Sequence, residues 1–353
     1  MKSAVWRERG RVLLEDRPVP VARDNEALIQ VRYCGLCGSD LEEYLDGPVV
    51  ARPPRVLGHE IVGVVAQPAR DGSGPPTGAV VIVDVVTGCG TCFWCSRGEE
   101  GLCPELVVTG QHIDGGLTEY IVATAHRLVV VPGTVPLHAA ALAEPLAVAV
   151  RVLSKAGPLE AHDVVVVGGG TIGMLVAQLA RVRGARRTLV VEPSASRRRL
   201  IEGWGIPTVW AATAQERATA VAVVVDPPAA GVVIECSGRP GMVAESLGLT
   251  APGGTLFVLG VLPESEPIDT LSLVIGEKTI RGSAAHMWNT DVREAVELIA
   301  AGSVDVASLV SHVIPLQKVP DAFALLAASD SGVIKLLIDC ASDSSPESEL
   351  LDS

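Results

Sequence analysis

Aromatic residues are scarce in this chain: Phe, Trp and Tyr make up 3% of its 353 residues. An aromatic-lined substrate pocket is therefore not the default expectation. Positive charge is also in deficit. Lys and Arg number 28 against 41 Asp and Glu, so the formal net charge is 28 − 41 = −13. Such a balance disfavours a phosphate backbone or an anionic membrane surface, so neither nucleic acid nor membrane is expected as a partner. No run of eighteen or more apolar residues occurs, and no transmembrane helix is expected. The opening "MKSAVWRERGRVLLEDRPVP" lacks a continuous apolar core and a small-residue cleavage site, so no secretory signal is read there. The expected location is the cytoplasm, where thiols stay reduced. There is no internal repeat at solenoid periods.

The chain is 48% hydrophobic, ample for packed cores, and its length suggests about two domains. The first third reads as β: "EALIQVRYCGLC", "EIVGVVAQPA" and "GAVVIVDVVTG" are short apolar or alternating runs broken by Gly and Pro. From about residue 163 strands alternate with helical text, beginning with "DVVVVGGGTIGMLVAQLARVRGA" and continuing through "RTLVVEPS", "AGVVIECSG", "GGTLFVLG" and "EKTIRGS". That alternation argues for a parallel sheet covered by helices on both faces. After about 286 the text is mixed again, with helices in "DVREAVELIAAG" and "VPDAFALLAAS" and a strand in "GVIKLLIDC". The tail "ASDSSPESELLDS", from about 341 to 353, is acidic and Ser-rich and is expected to be disordered.

Gly168, Gly170 and Gly173 form G-x-G-x-x-G between a strand and a helix, with Thr171 and Ile172 between the second and third glycines. Glu192 closes the following strand. In this context the first glycine permits a tight turn, the second lets backbone approach a diphosphate, and the third lets helix and strand pack closely. The diphosphate would sit on the helix N-terminus, where free N–H groups and the helix dipole favour anions. A carboxylate at Glu192 would accept hydrogen bonds from ribose hydroxyls and repel a 2′-phosphate, which favours NAD over NADP. Arg197, with Arg198 and Arg199, is the counter-signal, since it could hold a 2′-phosphate.

Two sets of metal-ligand types stand out. "GCGTCFWCSRGEEGLC" places Cys89, Cys92, Cys95 and Cys103 in one loop, within a lobe spanning 88–104. In a reducing compartment four thiols point to metal more than to disulfides. Four thiolates close a tetrahedral zinc site with no position left for substrate, so this site would support structure. The second set is scattered: Cys37, Ser39 and Asp40 in "GLCGSD", His59 and Glu60 in "LGHEIVG", and Glu144 in "LAEPLAV". A Cys, a His and a carboxylate would leave zinc an open position, but spacing alone leaves their convergence open.

Taken together, "CGSD", "LGHE", the four-cysteine lobe, "DGGLTEY", "AEPLA", the glycine turn with Glu192 and "GEKTIRGS" resemble the zinc-dependent medium-chain alcohol/polyol dehydrogenase family, over roughly residues 1 to 340. "CGSDLEEYLDGP" and "AEPLAVAVRVL" are most similar to its 2,3-butanediol and sorbitol dehydrogenase branch. The resemblance implies an α/β fold of two domains. One is a GroES-like β-rich catalytic domain, from 1–147 and 286–353. The other is a Rossmann NAD-binding domain, from 148–285, a doubly wound parallel sheet, with the active site in the cleft between them. It implies two zinc ions per chain: a structural one in the lobe and a catalytic one on Cys37, His59 and Glu144 or Glu60. It also implies a homodimer or homotetramer built partly through Rossmann-domain edges.

The reaction then expected moves hydride between a secondary alcohol and NAD, with Ser39 accepting the hydroxyl proton. The branch suggests a vicinal diol, polyol or cyclitol oxidised to a ketone. Many relatives have a proton-relay His where this chain has Glu42; Glu42 or Glu43 could take over, or Ser39 could pass the proton to water directly. Tyr44, Leu45, His112, His286 and Trp288 are candidates to line the substrate pocket, with plain packing as the competing role. Cys34, Cys236 and Cys340 read as small buried hydrophobes. Alternatives are a biosynthetic dehydrogenase of an amino-cyclitol, an amino alcohol such as threonine, or a sugar intermediate, and a non-catalytic NAD-binding zinc protein.

Overall fold

The computed structural model describes residues 1–225, 230–261, 265–328 and 332–341. The expected disordered tail lies, beyond residue 341, outside the described residues. The chain divides into two units. One comprises Met1–Glu144, Met287–Ala301 and the chain from Val306 onward; the other comprises Pro145–His286 and the short segment Gly302–Asp305.

The first unit is β-rich, as its short, β-branched, Gly- and Pro-broken runs predict. β1 (Lys2–Glu8) and β2 (Arg11–Asp16) form an antiparallel hairpin. β3 (Glu26–Leu36) is the long central strand, followed by α1 (Gly38–Asp46), β4 (Arg55–Val56) and β5 (Glu60–Gln67). β4 adds to the hairpin, giving the order β2-β1-β4. β6 (Val80–Val83) continues the main sheet. β7 (Val86–Thr87) and β8 (Val107–Val108) pair at the base of the four-cysteine lobe. β9 (Tyr120–Thr124) and β10 (Leu128–Val130) return to the main sheet. α2 (Leu137–Ala140) and α3 (Ala143–Ala156) then carry the chain into the second unit. The stretch Leu137–Ala156 is long and apolar enough to cross a membrane, a feature that a search for unbroken apolar runs misses. It is 72% buried within the protein, so its apolar surface is spent on the core.

Among its described residues the second unit holds six parallel strands: β11 (Asp163–Val167), β12 (Arg187–Val191), β13 (Thr208–Val209), β14 (Ala230–Glu235), β15 (Thr250–Val258) and β16 (Thr279–Gly282). Between them run α4 (Thr171–Val182), α5 (Ala195–Gly203), α6 (Ala214–Val224), α7 (Met242–Leu249) and α8 (Thr270–Ile275). The strand order is β13-β12-β11-β14-β15-β16, which reverses direction at β11. This is the doubly wound Rossmann arrangement, with its ligand crevice at the carboxyl ends of the strands beside the reversal. Val164 to Val167 are all essentially buried, as a central parallel strand covered on both faces requires. Gln178 of α4 both donates to the Asp305 carbonyl and accepts from the Asp305 N–H, and Trp204 Nε1 donates to the Asp305 carboxylate at 3.1 Å. These bonds tie Gly302–Asp305 to the second unit, a return that the sequence does not signal.

The first unit is completed by α9 (Arg293–Ala300), β17 (Val310–Pro315), α10 (Val319–Ala327) and β18 (Lys335–Asp339). Its main sheet runs β10-β6-β5-β3-β18-β17. β5 pairs along one edge of β3, while the other edge is shared by β9 over Glu26–Gln30 and by β18 over Tyr33–Leu36. The last described strand is thereby laid beside the residues that lead into Cys37.

Candidate functional site

Cys37 sits at the junction of β3 and α1, with an extended backbone. His59 precedes β5, and Glu60 opens it. Sheet pairing places Glu60 opposite Gly35. The ligand atoms of Cys37, His59 and Glu60 all lie within 4.8 Å of one another. His59, Glu60 and Glu144 are buried, and Cys37 is half-buried. Glu144, near the start of α3, acts on both Glu60 and Lys335 through its charge. Ser39 is the second residue of α1 and is half-buried.

Two residues outside the expected zinc-ligating set of Cys37, His59, Glu60 and Glu144 hold this site together. Asp40 is 2% exposed, yet its carboxylate accepts the N–H groups of Cys37 and of Gly58, both at 3.0 Å. It thus locks together the two segments that carry Cys37 and His59. Its Oδ1 also lies 3.5 Å from His59 Nδ1. That is long for a hydrogen bond, and among the described residues Nδ1 has no hydrogen-bond partner. Gly58 makes the approach possible: its φ is +89°, and a Cβ there would lie 2.5 Å from the Cys34 sulfur.

Lys335 is the second. It is 4% exposed, and its Nζ lies 2.6 and 2.8 Å from the two Glu60 oxygens and 3.1 Å from the Leu36 carbonyl. Gly35 lies between β5 and β18 and has no side chain to obstruct the pair; a Cβ there would sit 1.9 Å from Glu60 Oε2. Nothing in "GVIKLLIDC" marks Lys335, because its partner is 275 residues away. The one available signal is a lysine inside an otherwise apolar strand, which needs a buried counter-charge.

The electrostatics suit a cation. Burial opposes the charged form of His59, but the Asp40 carboxylate and Cys37 outweigh it and hold its pKa well above the usual imidazole value. Lys335 likewise keeps its proton despite burial, because Glu60 lies against it. A buried thiol, imidazole and carboxylate within ligand distance, with an orphaned buried imidazole nitrogen aimed at a carboxylate, fit a zinc ion with a supporting outer shell.

The other expected residues are placed as follows. Glu43 is 3% exposed and accepts the N–H groups of Val49, Val50 and Ala51. It is therefore committed to the loop after α1, which corrects the expectation that it could relay a proton. Glu42 is half-buried on α1. Tyr44 stacks on Phe323, with ring centroids 4.7 Å apart, and is absorbed by packing against α10. Leu45 is exposed, and its carbonyl accepts from Arg9. His112 is exposed and accepts the Val108 N–H, while His286 is fully buried. The Trp288 side chain is not among the described groups.

The sulfurs of Cys89, Cys92, Cys95 and Cys103 also lie within 4.8 Å of one another. Backbone N–H groups point at three of them: Cys89 to Cys103, Cys92 to Cys89 and Cys95 to Cys92, at 3.3 to 3.5 Å. Such donors stabilise thiolates, so this donor set fits a tetrahedral zinc ion. All eight cysteines are free thiols. The lobe is anchored by buried Arg127, which donates to Asp84 at 2.9 Å, to the Val86 carbonyl at 2.7 Å and to Glu100 within the lobe.

In the second unit, Gly168 has φ +99°, and a Cβ on Gly173 would lie 1.8 Å from the Gly168 carbonyl oxygen. Gly170 caps α4 with open space around its missing Cβ and, being glycine, offers no side-chain cap of its own. This open helix start, preceding Thr171 and Ile172, fits a diphosphate. Glu192 is 3% exposed; it accepts the Gly169 N–H at 2.6 Å and the Ser194 N–H at 2.7 Å. The carboxylate read as a ribose acceptor is therefore also a brace of the glycine turn. Arg197 bonds Ser194 Oγ through its backbone N–H, while Arg198 donates to the carbonyls of Glu192 and Pro193. Fully buried Glu235 repeats the brace after β14, accepting from Ser237 and Gly238.

Comparison with known proteins agrees with this layout. Residues 23–133 match the alcohol dehydrogenase GroES-like domain, and residues 171–301 match a domain described as zinc-binding dehydrogenase. The probable D-xylulose reductase A of Aspergillus clavatus is 32% identical over 93% of both chains. The L-threonine 3-dehydrogenase of Pyrococcus horikoshii is 30% identical over 91% of this chain and 93% of its own. A candidate zinc-binding dehydrogenase from Sinorhizobium meliloti, solved with NADP bound, superposes with a TM-score of 0.88 at 30% identity, covering 96% of this chain and 98% of its own.

Proposed function

The chain belongs to the zinc-dependent medium-chain alcohol/polyol dehydrogenase family, and on that premise we propose that it oxidises a secondary alcohol, a vicinal diol, polyol or cyclitol, to a ketone with reduction of NAD to NADH and release of one proton. The observation that carries this reading is the buried cluster of Cys37, His59 and Glu60 with its supports Asp40 and Lys335. Zinc held by Cys37, His59 and Glu60 or Glu144 supplies Lewis-acid polarisation of the substrate oxygen, and a bound nicotinamide supplies the hydride acceptor.

The side chains of this protein do the rest. Asp40 fixes the relative position of Cys37 and His59. Lys335 holds Glu60 by both oxygens, and Glu144 is the second carboxylate of the ligand set. Ser39 Oγ accepts the substrate hydroxyl proton. Glu42 follows three residues later on α1 and so shares its face; it passes the proton to solvent. A second zinc, on Cys89, Cys92, Cys95 and Cys103, holds the lobe. NAD is preferred because the buried Glu192 carboxylate lies beside the glycine turn, where it disfavours a 2′-phosphate.

A homo-oligomer is part of this proposal. β16 is the outer strand of its sheet, and the adjacent α8 exposes Leu271, Val274 and Ile275 at 71%, 69% and 77%. An apolar helix beside an open sheet edge suits a second copy of the chain. Free thiols throughout suit a reducing compartment, the cytoplasm. The similarity to a threonine dehydrogenase supports a second reading, an amino alcohol as substrate. NADH formation by zinc-replete protein from a panel of diols, polyols, cyclitols and amino alcohols, with NAD and NADP in parallel, tests both. Silence across the panel at full zinc occupancy would leave the non-catalytic reading.

A further inference from the structure

Trp210 directly follows β13 and is 43% exposed, in a chain with five tryptophans. The sheet fixes its position. Val191 pairs with Val209, and the Glu192 N–H donates to the Val209 carbonyl at 3.1 Å. Trp210 and Glu192 are therefore the next residues of two adjacent parallel strands, at the carboxyl ends where such sheets bind ligands. The Arg217 guanidinium lies over the indole, 4.8 Å from the ring centroid. Arg217 is itself 8% exposed; it is gripped bidentately by Glu245 and bonded to the carbonyls of Ala211 at 2.7 Å and Ala212 at 3.0 Å. A fixed cation thus backs the ring, while much of the indole remains open to solvent.

The order of groups is informative. The glycine turn suits a diphosphate. Glu192 braces that turn and, as proposed above, faces a ribose. Trp210 is the next feature across the sheet edge. Diphosphate, ribose and adenine follow one another in the same order along the adenosine half of a dinucleotide. A flat, backed, half-exposed ring offers stacking to a purine, which any base can accept through its π-face. We propose that Trp210 is the stacking platform for the adenine ring of the cofactor, with Arg217 as its positioning residue. This rests on the reading of the second unit as a cofactor domain.

ADP-ribose, which carries the adenosine half without nicotinamide, separates the two claims. Titrated by calorimetry into the zinc-replete full-length protein, it should bind the wild type. Trp210→Ala should weaken binding by about tenfold, and Trp210→Phe, which keeps a ring over Arg217, should stay within about threefold of wild type. ADP-ribose should also quench tryptophan emission in the wild type and leave that of Trp210→Phe unchanged, a readout that stands if the alanine variant does not fold. Equal affinity of wild type and Trp210→Ala, or undiminished quenching in Trp210→Phe, overturns the platform. Absence of binding to the wild type overturns the cofactor reading beneath it.

Discussion

Lys335 Nζ lies 2.6 and 2.8 Å from the two carboxylate oxygens of Glu60, with the bare backbone of Gly35 between their strands. Both partners are almost wholly buried, so neither has water to fall back on. Removing one partner of such a pair costs about 3–5 kcal/mol, because the other charge is stranded. Lys335→Met should therefore lower the stability of zinc-free protein by about that amount, and Lys335→Met with Glu60→Gln should recover most of it. Zinc should stabilise Lys335→Met more than it stabilises the wild type, since the freed carboxylate gains a cation. Urea midpoints with and without zinc check this; equal zinc-induced shifts in the two proteins would contradict it.

Gly35→Ala tests the same geometry from the middle strand. Its Cβ would fall 1.9 Å from Glu60 Oε2, so the carboxylate must move. We expect a loss of turnover of at least about tenfold, the scale on which misplacement of a site group is felt. The lobe should keep its zinc. Metal content alongside kcat decides it: full activity would mean that Glu60 is not needed where it stands.

Asp40→Asn keeps the shape but can accept only one of the two N–H groups that Asp40 now accepts from Cys37 and Gly58. Zinc affinity of the first site should fall by about 10- to 100-fold, the usual effect of losing an outer-shell partner. Chelator competition measures it. An unchanged constant would remove Asp40 from the site.

Glu192→Ala removes the acceptor for the Gly169 and Ser194 N–H groups as well as a charge. It should weaken NAD by about tenfold and NADP by less, because a brace of the turn is lost for both while the charge that opposes a 2′-phosphate is removed. A clean exchange of preference to NADP with no loss of overall affinity would show that the carboxylate acts only on the ribose. Calorimetric titration with both cofactors distinguishes the two.

The lobe supplies a pH test. The N–H groups of Thr91 and Cys92 lower the Cys89 pKa to about 6, whereas burial and the neighbouring thiols raise Cys95 to about 12. A lowered thiol pKa means thiolate at neutral pH, and thiolate is the reactive form. In zinc-stripped protein at pH 7, iodoacetamide should label Cys89 well ahead of Cys95, and the Cys89 rate should fall as pH drops below about 6. Zinc should protect both. Equal labelling of the two at pH 7, read by peptide mass spectrometry, would refute this.

Local text sufficed for the local features. Gly168, Gly170 and Gly173 could be read as a phosphate turn because strand, turn and helix are contiguous and each glycine has its own steric duty. The four lobe cysteines were legible for the same reason: their spacing closes a small loop. The family resemblance rested on several such islands in fixed order. Convergence was another matter. Cys37, His59 and Glu60 meet only because β3 and β5 pair in one register. Lys335 joins them only because β18 returns to the far half of β3, and that pairing is specified by no neighbouring residue. Glu192 shows the remaining gap. Its position in the sequence suggests a ribose partner, but its bond to Gly169 depends on how two parallel strands align. Sequence fixes which groups can ionise, ligate or turn; buried charges acquire their partners only when strands distant in the chain come into register.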